Sequence, residues 1–274
     1  MNDSRFAFGD NWNAFLKTLD QPQIDQAVQS LRSMLKVDSL AGQTFLDLGS
    51  GSGLFSLAAH RLGAGPVVSI DYDVQSVHCT TYVKEQYGDQ DADWTICQGS
   101  VLDAALMASL GKFDVVYSWG VLHHTGDMDT AIQLASQCVA DDGLFFIAIY
   151  NDQGAGSRRW LAIKRFYHRL PRPLRPVWVA LIAAWYESKF ALARLARGRN
   201  PLPFKDWEAK KTDRGMSVWH DWVDWVGGLP FEVAIPEAII LPLRRQGFVL
   251  DNLTTVRGWG CNQYVFRKTG IIPR

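Results

Sequence analysis

The sequence predicts an α/β fold: a doubly wound sheet of about seven strands, mostly parallel with an antiparallel last strand, and a helical insert after strand five. Three observations lead there. Short β-branched and aromatic runs alternate with helical stretches from about residue 44 to 150, a glycine-rich turn follows the first such run, and composition changes abruptly over 151–230. Strands alternating with helices of ~10–15 residues imply right-handed βαβ units, hence parallel pairing with helices on both faces.

Residues 1–33 are expected to form an N-terminal helical segment. The strand runs are TFLDL (44–48), VVSID (67–71), WTIC (94–97), FDVVYS (113–118) and LFFIAIY (144–150). Helical stretches lie between them at 53–63, 73–88 and 127–140. After Tyr150 the alternation stops. A loop, NDQGAGS, precedes a basic amphipathic helix at 157–170, PRPLRP breaks it, and a second helix is expected over 176–198. From Pro230 the α/β pattern resumes, with a helix at 235–247 and strands at 248–256 and 261–268. The expected domains are therefore 34–150 with 231–268, and the insert 151–230.

Composition sharpens that boundary. The 274-residue chain has no net charge, which removes any global attraction for nucleic acid. Residues 151–230 nevertheless hold fifteen Lys/Arg against seven Asp/Glu, and seven of the eleven tryptophans. Cys79, Cys97, Cys138 and Cys261 are scattered, without metal-ligand spacing, so neither a zinc site nor a disulfide framework is expected and a reducing cytoplasm is the expected setting. MNDSRFAFGDNW lacks a basic stretch followed by an apolar one, so no secretory signal is expected.

FLDLGSGSG (45–53) leaves a strand and opens a helix. Glycines at 49, 51 and 53 permit a tight turn and close approach of backbone N–H groups to a ligand. A nicotinamide-dinucleotide fingerprint would place its third glycine at position 54, which is Leu54. Asp71 ends the second strand, where a carboxylate can accept both ribose hydroxyls of a nucleoside. Asp73 is better placed than Asp71 to cap the following helix. SWGVLHHTGD (118–127) ends the fourth strand, at the edge where ligands bind in doubly wound sheets.

Taken together, D-L-G-x-G-x-G, the acid after strand two and V-L-H-H resemble the class I S-adenosylmethionine (SAM)-dependent methyltransferases, small-molecule type, similar to those of quinone biosynthesis. The resemblance covers about 34–150 and 231–268. It implies a Rossmann-like fold and SAM as cosubstrate. It assigns Asp47, Gly49, Gly51, Gly53, Asp71, Tyr72, Ser100, Val101 and Trp119 to the SAM site, with Val121 beside Trp119 at the methionine end. Ser100 stands where the family usually has an acid that reads the adenine amino group; the Val101 backbone and the Asp103 side chain are the substitutes. Trp12, with Phe6 and Phe8, belongs to an N-terminal segment of the kind that folds across the SAM pocket in related enzymes.

Methyl transfer is an in-line displacement that needs alignment, exclusion of water and, for a hydroxyl nucleophile, a base. His124 is the candidate base, with Tyr150 and Asn151 as polar orienters, and no metal is implied. A small-molecule acceptor is the expected partner. Two other readings stay open. The chain could be a SAM-consuming cyclase resembling azetidine-2-carboxylate synthases, releasing methylthioadenosine with SAM as sole substrate, or a non-catalytic SAM-binding protein. Residues 158–199 carry eleven Lys/Arg and one acid, Glu187. Their basic face is expected to be a solvated cap or to meet the acidic core or a second subunit in a homodimer; contact with an anionic membrane surface, and attraction for an acidic or carrier-bound substrate, are the other readings. Trp219, Trp222 and Trp225, spaced by three, are expected to share a helix face that anchors this lid to the core, with His220 as a pocket residue.

Overall fold

The structure, a computed structural model, describes residues 12, 15–16, 19–89, 91–198, 200 and 218–270. Phe6, Phe8 and Trp207 lie outside the described residues, as do the side chains of Val218, His220 and Asp221. The described residues form two compact units: one of those within 7–154 and 230–270, the other of those within 155–229.

In the first unit, helix α1 (Gln21–Leu35) begins at Asp20, whose carboxylate accepts from the Gln23 N–H while the Gln23 side chain accepts from the Asp20 N–H. This reciprocal capping box, with Pro22 in the first turn, explains why the helix starts here. Lys36 ends it in a left-handed conformation. There follow β1 (Phe45–Leu48), α2 (Leu54–Arg61), β2 (Val67–Asp71), α3 (Val74–Tyr87), β3 (Trp94–Gln98), α4 (Ala104–Ser109), β4 (Phe113–Trp119), α5 (Met128–Gln137) and β5 (Val139–Tyr150). Helix α4 has no counterpart in the sequence-based expectation. It is short, and Asp103 nucleates it by accepting from the Ala105 and Leu106 N–H groups. Strand β5 starts five residues earlier than its apolar run, because Val139 pairs with Phe113 before the register shifts.

The seven strands lie in the order β3-β2-β1-β4-β5-β7-β6, with the first five parallel and β7 (Cys261–Lys268) antiparallel to both β5 and β6 (Phe248–Thr254). Both faces are covered, so alternate residues of one strand feed different cores. On β4, Val116 packs with Leu46, Ile70 and Ile132 of α5, whereas Val115 and Tyr117 pack with Phe45 and with Leu57 of α2. Burial on both sides is why these strands read as continuous apolar runs. The order reverses between β1 and β4, so the ends of β1, β2 and β4 frame a crevice at the switch point.

The second unit is helical: α6 (Ala155–Arg169), a short 3-10 turn at Arg172–Leu174, α7 (Arg175–Leu195) and α8 (Val218–Gly227). Trp160 stacks on Tyr186 at 5.0 Å, Trp225 meets Trp160 at 5.6 Å, and Trp222 stacks on Tyr186 at 6.1 Å. One turn along α6 from Trp160, Lys164 donates to the Trp225 carbonyl, and a turn further the His168 ring donates to the Gly227 carbonyl. Both acceptors are terminal carbonyls of α8, where cations are favoured. Burial pulls the Lys164 amine down to about 7, against the opposing field of Asp224. The three tryptophans do not share one environment: Trp222 is 9% exposed and Trp219 is 44% exposed. These ring contacts of Trp222 and Trp225 join helices of the insert to one another.

Candidate active site at the strand carboxyl ends

The loop after β1 folds back on β2: the Gly49 and Ser50 N–H groups both donate to the Ile70 carbonyl. Gly49, Gly51 and Gly53 all have positive φ. At Gly51 a Cβ would lie 2.9 Å from Cε2 of Trp12, so the indole covers the loop at the one residue type that admits it. At Gly49 a Cβ would fall 2.3 Å from the Val121 side chain, which fixes the loop against the turn after β4.

Asp71 is tied into this arrangement. Its Oδ2 accepts from the Gly51 N–H and its Oδ1 from the Asp73 N–H, each at 2.9 Å. Burial pushes its pKa up despite these donors. The Tyr72 N–H is a third backbone donor to this carboxylate, so of its four acceptor positions one is left for a ligand hydroxyl. Asp73 caps α3 by accepting from the Gln75 N–H, as its position implied. Tyr72 is exposed beyond the end of β2, and Trp119 is exposed at the end of β4.

Asp47 lies beneath the glycine loop, at β1. It is 1% exposed, and its Oδ2 accepts from the Ser56 hydroxyl at 2.6 Å. Ser56 pairs with Ser69, which accepts from the Trp94 indole N–H. Burial raises the Asp47 pKa to about 7, with Asp71 adding a smaller push. A carboxylate at the centre of this network braces the glycine loop from beneath. After β3, the Ser100 hydroxyl accepts from the Leu102 N–H, Val101 is buried, and the Asp103 carboxylate caps α4.

V-L-H-H forms a single 3-10 turn, Leu122–His124. His123 is fully buried, its ring 4.0 Å from Tyr150, whereas His124 is partly exposed. The His124 ring meets Tyr150 edge to face at 5.3 Å. Its Nδ1 lies 2.6 Å from the Pro230 carbonyl oxygen. A carbonyl only accepts, so Nδ1 carries the proton and, in the neutral ring, Nε2 holds the basic lone pair.

Residues 230–234 form a strap that no sequence pattern marks. Besides Pro230, Glu232 accepts from the Gly126 and Met128 N–H groups, and the Ala234 N–H donates to the Tyr150 carbonyl. Burial raises the Glu232 pKa. These partners stand more than a hundred residues from the V-L-H-H turn in sequence, beyond any local pattern. Asn151 is tied on both sides: its amide nitrogen donates to the Val256 carbonyl and its oxygen accepts from Asn262. It thus secures the link before β7. Among the described residues no group of His, Cys, Asp and Glu side chains is placed to hold a metal ion.

A family model described as "Methyltransferase domain" matches residues 14–200. This chain belongs to that methyltransferase family. The chain is 33% identical over 113 residues to the ubiquinone biosynthesis O-methyltransferase of Brucella ovis, covering 41% of this chain and 43% of that protein. It is 30% identical over 114 residues to the mitochondrial ubiquinone biosynthesis O-methyltransferase of Bos taurus, covering 41% and 30%. It thus spans less than half the length of these curated relatives. Among solved structures, an O-methyltransferase family protein from Burkholderia thailandensis superposes with a TM-score of 0.51 at 14% identity, over 90% of this chain and 58% of that one. Magnesium protoporphyrin IX methyltransferase from Synechocystis PCC 6803, with bound SAH, superposes with a TM-score of 0.51 at 15% identity, over 89% and 82%. These likenesses bear out the Rossmann-like sheet, and the family match bears out the resemblance drawn from the motifs.

Proposed function

We propose that this methyltransferase transfers the methyl group of SAM to a hydroxyl of a small-molecule acceptor, with His124 as general base. The observation that carries the reading is the His124 Nδ1 to Pro230 carbonyl hydrogen bond, which leaves Nε2 as the basic nitrogen at the carboxyl ends of β4 and β5. SAM supplies a methyl carbon made electrophilic by its sulfonium. The glycine loop, with positive φ at all three glycines, and Asp71, with an acceptor position left on its carboxylate, fit its nucleoside half. Trp119 and Tyr72 offer exposed aromatic faces at neighbouring strand ends. His124 Nε2 takes the hydroxyl proton as the oxygen–methyl bond forms and the methyl–sulfur bond breaks; S-adenosylhomocysteine leaves, and the proton passes from the imidazolium to solvent. Tyr150 holds the His124 ring edge-on. The curated relatives are named as O-methyltransferases, which favours oxygen as the acceptor atom.

The test is incubation with SAM, with and without a panel of hydroxylated small molecules, followed by mass spectrometry. Acceptor-dependent S-adenosylhomocysteine is the expected product. Methylthioadenosine formed without an acceptor, or SAM binding with no turnover on any acceptor, would overturn the proposal. Asp71→Ala is expected to weaken SAM binding roughly 10–100-fold, as for a lost hydrogen bond to a charged group; calorimetry showing unchanged affinity would undo the ribose assignment.

A further inference from the structure

Helix α7 carries an apolar face that its own unit leaves in solvent. Leu174, Val177, Leu181, Trp185, Leu192 and Leu195 are all exposed, Trp185 to 61% and Leu192 to 66%. Their spacings of three, four and seven place them in one narrow arc of the helix, with Ser188 completing the repeat. Val179 and Tyr186, on the opposite side, are the residues of α7 that are buried. The stripe runs the length of a helix of 21 residues, about 30 Å at 1.5 Å per residue.

The helical unit that carries the stripe is cationic. Arg172, Lys189 and Arg197 are exposed on and beside α7, and Arg158, Arg159, Arg165 and Arg169 are exposed on α6. The one acid between residues 158 and 199, Glu187, is half-buried. Lys189 sits over the Trp185 ring at 4.5 Å, pairing an amphipathic ring with an ammonium. No helix among the described residues is long and apolar enough to cross a membrane. A helix with an exposed apolar arc flanked by basic residues matches the chemistry of one that lies in the plane of a bilayer interface.

We propose that the exposed face of α7 docks on an anionic phospholipid surface, its apolar stripe entering the acyl boundary and its basic flanks meeting the headgroups. Charge decides between this occupant and a second copy of the chain. A symmetric pair of α7 stripes would bring the same arginine- and lysine-rich flanks together, and like charges facing each other oppose association. Anionic headgroups complement them. The proposal is independent of the methyl-transfer reading, because it concerns only the helical unit.

The test is flotation of the full chain with vesicles of equimolar phosphatidylglycerol and phosphatidylcholine, against phosphatidylcholine alone. Flotation with the anionic vesicles only, at low salt, is expected, with loss at about 0.5 M salt where screening is short-ranged. Replacing Leu181, Trp185 and Leu192 together by Asp should lower partitioning by more than about a hundredfold, since each apolar side chain no longer leaves water. A second variant, Arg172→Glu with Lys189→Glu and Arg197→Glu, alters only exposed side chains and should weaken binding by at least roughly fivefold per cation. Circular dichroism checks that both variants keep their helices. Failure to float, equal flotation with neutral vesicles, or insensitivity to both variants would overturn the proposal. A solution dimer that the Asp variant dissolves, in a protein that does not float, would assign the stripe to a second copy instead.

Discussion

Asp47 makes stability depend on pH in a direction opposite to that of an ordinary salt-bridged carboxylate. Its pKa rises from 3.8 in the unfolded chain to about 7 in the folded one, chiefly through burial. The folded state therefore holds the proton more tightly. Stability from this group is full below about pH 4, falls as pH rises to about 7, and is level above that. A separation of about three units corresponds to roughly 4 kcal/mol, an upper bound. Asp47→Asn removes the ionisation and keeps an oxygen to accept from Ser56. It also introduces two amide donors. A buried amide donor left unsatisfied costs roughly 1–3 kcal/mol at every pH. The variant should thus be less stable than the parent near pH 4, and the difference should shift in its favour by up to roughly 4 kcal/mol as pH rises to 8. Urea unfolding of both proteins across this range, followed by circular dichroism, gives the difference. Two parallel pH profiles would refute the reasoning, because the slope would then come from other groups.

Three further outcomes follow from the site. His124→Asn keeps a donor for the Pro230 carbonyl but has no basic nitrogen; kcat should fall ~10²–10⁴-fold with the acid limb of the pH–rate profile flattened, SAM affinity unchanged. Gly51→Ala meets both a positive φ and the Trp12 indole, so it should cost about 1–2 kcal/mol and weaken SAM binding; the Trp12→Ala background should relieve only the steric part, as a double-mutant cycle would show. Glu232→Ala removes the acceptor for the Gly126 and Met128 N–H groups and should destabilise by about 1–2 kcal/mol while lowering kcat more than it alters SAM affinity, measured by denaturation and steady-state kinetics.

The residues that do what their neighbours in sequence dictate were legible from the start. Strands β2 and β7 begin and end where the runs VVSID and CNQYVFRK do. The glycine loop and Asp71 fell where expected, since a turn from strand to helix and the residue ending the next strand are both set locally. What escaped was set by partners distant in the chain. The hydrogen-bond chain from Asp47 through Ser56 and Ser69 to Trp94 is assembled from β1, α2, β2 and β3. The ties of Asn151 to Val256 and Asn262 form only when the closing hairpin is in place.

Sequence by itself determined the order of strands and helices, the family, the glycine turn and the acid after strand two, because periodicity and short-range sterics are written in consecutive residues. Tertiary structure decided which of two adjacent histidines is buried and which nitrogen of the other carries its proton, since that proton is fixed by a carbonyl 106 residues away. It likewise decided that the tryptophans of α8 divide between packing and exposure, and that the apolar stripe of α7 faces water. A period of three or four marks a helix face, but the partner that covers it, or its absence, is settled only when the chain has folded.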